Sequence, residues 1–175
     1  MRIVRIGCFS LLLLTASLAA QPAGKTTLPS ISYAELGKEV RALKGKVVVV
    51  YFWAGYCAPC KAKGIPFMAG LQDKYDKDGL VVLSVTLDDP HNAETRSAAL
   101  GCLERHKPPF RSFAIDLAPE KHPATLQFNG VPGVFVFNRD NRYVLKLPAL
   151  DDRGNTTEDF DYAAIEKVVA EQIKK

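Results

Sequence analysis

The feature that most constrains this chain is the pair Cys57-Ala58-Pro59-Cys60 and the place where it falls. Just before it, Val47 to Trp53 is an unbroken run of β-branched and aromatic residues. A strand apolar on both faces must be covered on both sides, so this run is expected at the centre of a sheet. From Cys57 to Lys77 the pattern is helical, with Pro66 expected to interrupt and kink it. The first cysteine therefore stands at a helix N-terminus, where unpaired N–H groups and the helix dipole favour an anion. That lowers the thiol pKa, and the thiolate is the nucleophile. Two intervening residues let the second sulfur reach the first within one helical turn, so a mixed disulfide formed at Cys57 can be resolved by Cys60. Pro59, with no N–H and a fixed φ, suits the first turn.

Three other readings of the pair stand beside this one. A structural zinc site needs four ligands, and His91, His106 and His122 share no ligand spacing with the cysteines. A purely structural disulfide would close a tiny loop and constrain little of the unfolded chain. A c-type haem site would have a His directly after the second cysteine, where Lys61 stands.

The rest of the chain supplies the layers. Tyr33 to Leu43 carries Leu36, Val40 and Leu43 at helical spacing, and Gly45 ends that helix. Leu80 to Leu87 is a second strand, apolar on both faces except at Ser84 and Thr86. Asn92 to Lys107 is helix-like and is stopped by Pro108 and Pro109. Arg111 to Asp116 is a candidate strand, and Ala118 to Gly130 is weakly patterned. Val134 to Phe137, a turn at Arg139 to Asn141, and Arg142 to Leu147 read as a hairpin. Asp151 to Asp159 reads as a polar loop, and Tyr162 to Ile173 as a terminal helix. This order gives an α/β fold: a central mixed β-sheet with helices on both faces.

Met1 to Ala20 reads as a secretory signal peptide, leaving residues 21–175 as one domain with an extended lead-in from Gln21 to Ser32. Arg2 and Arg5 precede an apolar stretch centred on Leu11 to Leu14, and Ser17 and Ala19 are small residues at the cleavage-site positions. The alternative is a retained anchor, but the stretch from Ile6 to Ala20 is short for a span of about 20 residues. No Cys follows it that could be lipidated, and Cys8 leaves with the leader. Export places Cys57, Cys60 and Cys102 where disulfides persist, most simply the periplasm, with no stable membrane anchor after cleavage. Removing the two leader arginines from 23 basic residues leaves 21 against 19 acidic ones, a net +2 that implies no charged partner and no nucleic-acid groove. A hydrophobic content of 47% and 12 Gly without period exclude bulk disorder and collagen.

The stretch Phe52-Trp53-Ala54-Gly55-Tyr56-Cys57-Ala58-Pro59-Cys60-Lys61 resembles the active-site segment of the thioredoxin superfamily. Gly130-Val131-Pro132-Gly133-Val134-Phe135-Val136 is similar to the segment that carries that family's cis-proline. With the leader and a longer stretch between the landmarks, the chain looks like the TlpA/ResA-like branch of extracytoplasmic thiol-disulfide oxidoreductases. The resemblance implies a thioredoxin-like fold and a disulfide-exchange enzyme, on balance a reductase. Cys57 would be the exposed, reactive cysteine and Cys60 the buried, resolving one. It further implies that Trp53, Tyr56, Val131 and Pro132 shape the substrate groove. Partners would be proteins with disulfides or thiols and an electron-donor protein. No cofactor motif such as GxGxxG or a P-loop is visible, and no metal ligand set is assigned. A rival of another class is a thioredoxin-fold metallochaperone holding Cu(I) through the same cysteines.

Four positions depart from the family pattern. Tyr51 stands where thioredoxins keep a buried acid, and Lys63 where many TlpA/ResA-like proteins keep a Glu. Pro66 comes six residues after the second cysteine rather than five, and Gly133 follows the cis-proline where Thr or Ser is common. Lys61 and Lys63 are expected near the active-site face. Cys102 is expected to pack as a small apolar side chain, and the histidines to lie at the surface.

Overall fold

The structure is a computed structural model that describes residues 26–128, 130–151 and 153–175. The leader reading, residues 1–20, lies outside the described residues. Ser30–Ile31 (β1) leads into the helix Tyr33–Ala42 (α1). Ser32 caps that helix, its hydroxyl accepting from the Glu35 N–H while Glu35 accepts from the Ser32 N–H. There follow Val47–Trp53 (β2), Ile65–Tyr75 (α2), Leu80–Thr86 (β3), Ala93–His106 (α3), Arg111–Ile115 (β4) and His122–Leu126 (α4). Gly133–Phe137 (β5), Tyr143–Leu147 (β6), Ala149–Leu150 (β7), Thr156–Glu158 (β8) and Tyr162–Ile173 (α5) complete the chain.

The main sheet has the order β1-β4-β3-β2-β5-β6. Strands β1, β4, β3 and β2 run parallel, while β5 and β6 run antiparallel to their neighbours. Every residue of β2 is buried, as its two-sided apolar run requires. Alternation sends Val49, Tyr51 and Trp53 to one face, against Ile65 and Met68 of α2, Cys102 of α3 and Val169 of α5. Val48, Val50 and Phe52 go to the other, against Leu36 and Val40 of α1 and Leu126 of α4. The mixed sheet with helices on both faces is therefore present.

Three expectations become more specific. The helix expected from Cys57 to Lys77 changes its winding around Pro66, where a kink was expected. It runs through a π-helical turn at Cys60–Gly64, then α2, then a 3₁₀ turn at Asp76–Asp78. Pro66 has no N–H to give, and its ring crowds the carbonyl four residues back. The wider turn before it, closed by Ile65 N–H onto Cys60 O, absorbs both problems. The polar loop expected from Asp151 to Asp159 contains β8, which pairs with β7. The described end of the extended lead-in forms a short strand, where Ser30 and Ile31 pair with Ala114 and Ile115.

Candidate active site

The register of the sheet builds the site. Strand β2 ends at Trp53, and on its antiparallel side Phe52 faces Gly133. The chain leaving β2 and the chain entering β5 are thus at the same end of the sheet. Val131–Pro132, a cis peptide as expected, abuts Cys57: the Cys57 Sγ lies 3.9 Å from the Val131 carbonyl oxygen. Crevices at the carboxyl ends of parallel strands are where open α/β sheets bind and react.

Cys57 and Cys60 are joined by a disulfide, S–S 2.03 Å. Cys60 is fully buried and Cys57 keeps 7% of its surface. The expected order holds, but Cys57 is not broadly exposed: with the disulfide closed and Val131 alongside, only an edge of the residue reaches solvent. The Cys60 N–H donates to Cys57 Sγ at 3.3 Å. A backbone donor aimed at that sulfur, at the start of a helix, stabilises it as a thiolate once the disulfide opens.

The loop between β2 and the cysteines is held by a buried carboxylate. Asp88 accepts from the Gly55 N–H at 2.7 Å and from the Thr86 hydroxyl, and its own N–H donates to Thr86 Oγ1 at 3.2 Å. The Cys57 N–H donates to Ala54 O at 3.0 Å, closing the turn. Sequence reasoning did not select Asp88. The signal was there: Ser84 and Thr86 are polar residues in an otherwise apolar strand, and a carboxylate follows two residues later. Ser84 also has a partner, accepting from the Trp53 indole N–H at 2.8 Å.

Trp53 is fully buried, so it offers no surface to a docked substrate. It sits in the core at the end of β2, held by that bond to Ser84. Tyr56 is 74% exposed beside Cys57 and is free to meet a partner. Val131 and Pro132 are half-buried.

The departures acquire physical reasons. The Tyr51 hydroxyl, fully buried, donates to the Cys60 carbonyl at 3.5 Å, and the Tyr162 hydroxyl of α5 lies close by. Burial pushes the Tyr51 pKa far up, so it stays neutral. Gly64 makes room: a Cβ there would fall inside the Tyr51 hydroxyl. Gly133 follows Pro132 because a Cβ on it would lie 2.7 Å from Phe128 Cζ. Lys63 is turned to α5, its ammonium 4.6 Å over the Tyr162 ring, where it makes a cation–π contact. Pro66 comes one residue late because the π-helical turn holds one residue more than an α-helical one.

Cys102 is fully buried in the same cluster as the disulfide, with its thiol pKa pushed up chiefly by burial. His91 and His106 are exposed, and His122 is half-buried, with Nε2 2.8 Å from Leu117 O. Among the described residues no group of three or more His, Cys, Asp or Glu side chains is placed to hold a metal. The Cu(I) reading therefore gains no support. No helix of the described residues is long and apolar enough to cross a membrane.

Comparison with known proteins agrees with this geometry. The Redoxin family profile matches residues 22–163. The chain is 30% identical over 109 residues to the thiol-disulfide oxidoreductase ResA of Bacillus cereus, covering 62% of this chain and 58% of that protein. It is 36% identical over 97 residues to the thiol:disulfide interchange protein DsbE homolog of Paracoccus denitrificans, covering 55% of this chain and 46% of that one. The chain thus spans about half the length of the curated relatives it matches. Among solved structures, a putative thiol:disulfide interchange protein DsbE from Chlorobium tepidum superposes with a TM-score of 0.56 at 25% identity, covering 77% of this chain and 84% of that one. A thiol-disulfide isomerase from Corynebacterium glutamicum superposes with a TM-score of 0.61 over 89% of this chain and 99% of that one, at 18% identity, a likeness of fold alone. With its central mixed sheet, its cysteine pair at the end of β2 and the match over most of its length, the chain belongs to the Redoxin family and to the TlpA/ResA-like side of the thioredoxin superfamily.

Proposed function

We propose that this chain is an exported thiol-disulfide oxidoreductase that reduces disulfides in protein substrates. The observation that carries the reading is the asymmetry of the pair. One sulfur, at the rim, receives a backbone N–H and faces Val131, and the other is wholly inside. In the reduced enzyme the Cys57 thiolate attacks a substrate disulfide, forming a mixed disulfide and releasing one substrate thiolate. Cys60 then gives up its proton and attacks Cys57 Sγ. The Cys57–Cys60 bond closes, and the second substrate thiolate leaves. Two electrons have passed to the substrate, and an electron-donor protein must return them. The Val131 backbone and Pro132 line the approach to Cys57, and Tyr56 offers an exposed ring beside it. Support for export is the basic and leucine-rich leader, which points to the periplasm.

Insulin-disulfide reduction tests the reading. Cys57→Ser is expected to abolish it, and Cys60→Ser to accumulate mixed disulfides at Cys57. Mixed disulfides forming on the Cys57→Ser protein instead would reverse the roles. Unchanged reduction in both variants, with no trapping in either, would end the proposal.

A further inference from the structure

A hollow lies on the other side of the sheet from the disulfide. It has a volume of about 470 Å³ between α1 and the β5–β6 hairpin. Val50, Phe135 and Phe137 form its floor, and Leu36 and Val40 its helical wall. A second hollow of about 230 Å³ adjoins it, sharing Tyr33, Phe135 and Phe137. Small-molecule sites have this size and this mostly apolar lining, with a few polar groups to fix orientation.

Two polar groups there lack partners. Asn141 sits at the hairpin turn with φ 59°, its side-chain N–H donating to Arg41 O at 3.2 Å. That leaves its Oδ1 buried with nothing to accept from. Buried polar atoms are almost always paired, and this one is closed to solvent. The second is the Arg41 guanidinium, which folds back along α1 to lie where a Cβ on Gly37 would be 3.2 Å from Nη1. Among the described residues Arg41 forms no ion pair. The two acids of α1 are occupied elsewhere, Glu35 with Ser32 and Glu39 with Arg111 at 2.8 Å. The glycine thus keeps one wall low, and an unneutralised cation stands at the mouth.

The geometry points to a second binding site, distinct from the disulfide, for an amphipathic organic carboxylate. Its apolar body lies on Phe135 and Phe137, and its carboxylate meets Arg41. None of these residues belongs to the exchange machinery, so the inference stands apart from the proposed function.

Dansylglycine, which has an aromatic body, a sulfonamide N–H and a carboxylate, is the probe. The full chain is titrated with it by fluorescence, with dansylglycinamide as the uncharged control. Saturable binding at one site is expected. Arg41→Gln is expected to weaken dansylglycine by about three- to fivefold, the scale of one exposed charge pair, and to leave the amide unchanged. Gly37→Leu is expected to fill the hollow and remove both. Should that variant fold poorly, amide chemical-shift changes in the unmodified protein decide, and they are expected at Phe135, Phe137 and Asn141. No saturable binding, binding that survives a folded Gly37→Leu variant, or shifts clustered elsewhere would overturn the site. Equal weakening of acid and amide by Arg41→Gln would overturn its preference for an anion.

Discussion

Asp88 shows how a single buried side chain can set the position of a reactive sulfur that it does not touch. Its carboxylate takes the Gly55 N–H and the Thr86 hydroxyl, and so pins the turn that delivers Cys57. Asp88→Ala would leave the buried Thr86 hydroxyl and the half-buried Gly55 N–H without this acceptor. The expected cost is about 1–3 kcal/mol of stability, read as a shift in the urea midpoint of the oxidised protein, with slower disulfide exchange alongside. An unshifted midpoint would mean that the turn is held by other contacts. Gly64 and Tyr51 form a second coupled pair. Gly64→Ala forces a methyl group into the Tyr51 hydroxyl, an overpacking expected to cost about 1–3 kcal/mol. Tyr51→Phe in that background should recover part of the loss. Recovery stays partial because the new methyl would still lie 2.7 Å from Tyr51 Cζ, a ring atom that the substitution keeps. Additive losses in the double variant would place the hydroxyl away from Gly64.

The π-helical turn at Cys60–Gly64 explains, at the scale of the element, how a late proline is accommodated. A turn closed from residue i to i+5 contains one residue more than an α-turn, so it acts as a one-residue insertion. Deleting the exposed Ala62 should convert it to an α-turn and leave the rest of α2 in phase, with Ile65, Met68 and Leu71 still facing the core. Deleting Gly70, inside α2, should instead turn the residues after it by about 100° and remove Leu71 from the core. Thermal unfolding followed by far-ultraviolet dichroism is expected to show a folded protein with Ala62 deleted and a much less stable one with Gly70 deleted. Equal damage from both deletions would refute the insertion account. The same elements show what a sequence can disclose. Strand β2, the cysteine pair and the β5–β6 hairpin were legible because their signals are local: apolar runs, fixed spacing and a turn between two strands. Strands β1 and β8 were not, because two or three residues carry no period and pair only where β4 and β7 are already in place. The approach of Tyr162 to Tyr51 was equally hidden, since it brings the last helix to β2 across most of the chain.

For the whole molecule, the core on the disulfide side of the sheet encloses groups that must stay protonated, and this sets its response to alkali. Burial is the first cause of the raised pKa of the Cys102 thiol, with Arg105 and Lys61 pulling it down and Asp88 pushing it up. Burial likewise raises Tyr51, far beyond the ordinary range, and Tyr162. A group whose folded pKa exceeds its unfolded value contributes stability that is fully present below the unfolded pKa. That contribution is lost as pH rises from there through the folded pKa. Unfolded thiols titrate near about 8.5 and tyrosines near about 10. Stability is therefore expected to fall in two stages, first as Cys102 begins to titrate in the unfolded chain and then more steeply as Tyr51 and Tyr162 join it. The measurement is the urea midpoint between about pH 7 and pH 11, made in a Cys8→Ser, Cys57→Ser, Cys60→Ser background so that no other thiol titrates or exchanges. Adding Cys102→Ala should flatten the curve between about pH 8.5 and 10 and leave the tyrosine stage in place. Curves that superimpose across that interval would show that burial does not hold the Cys102 proton.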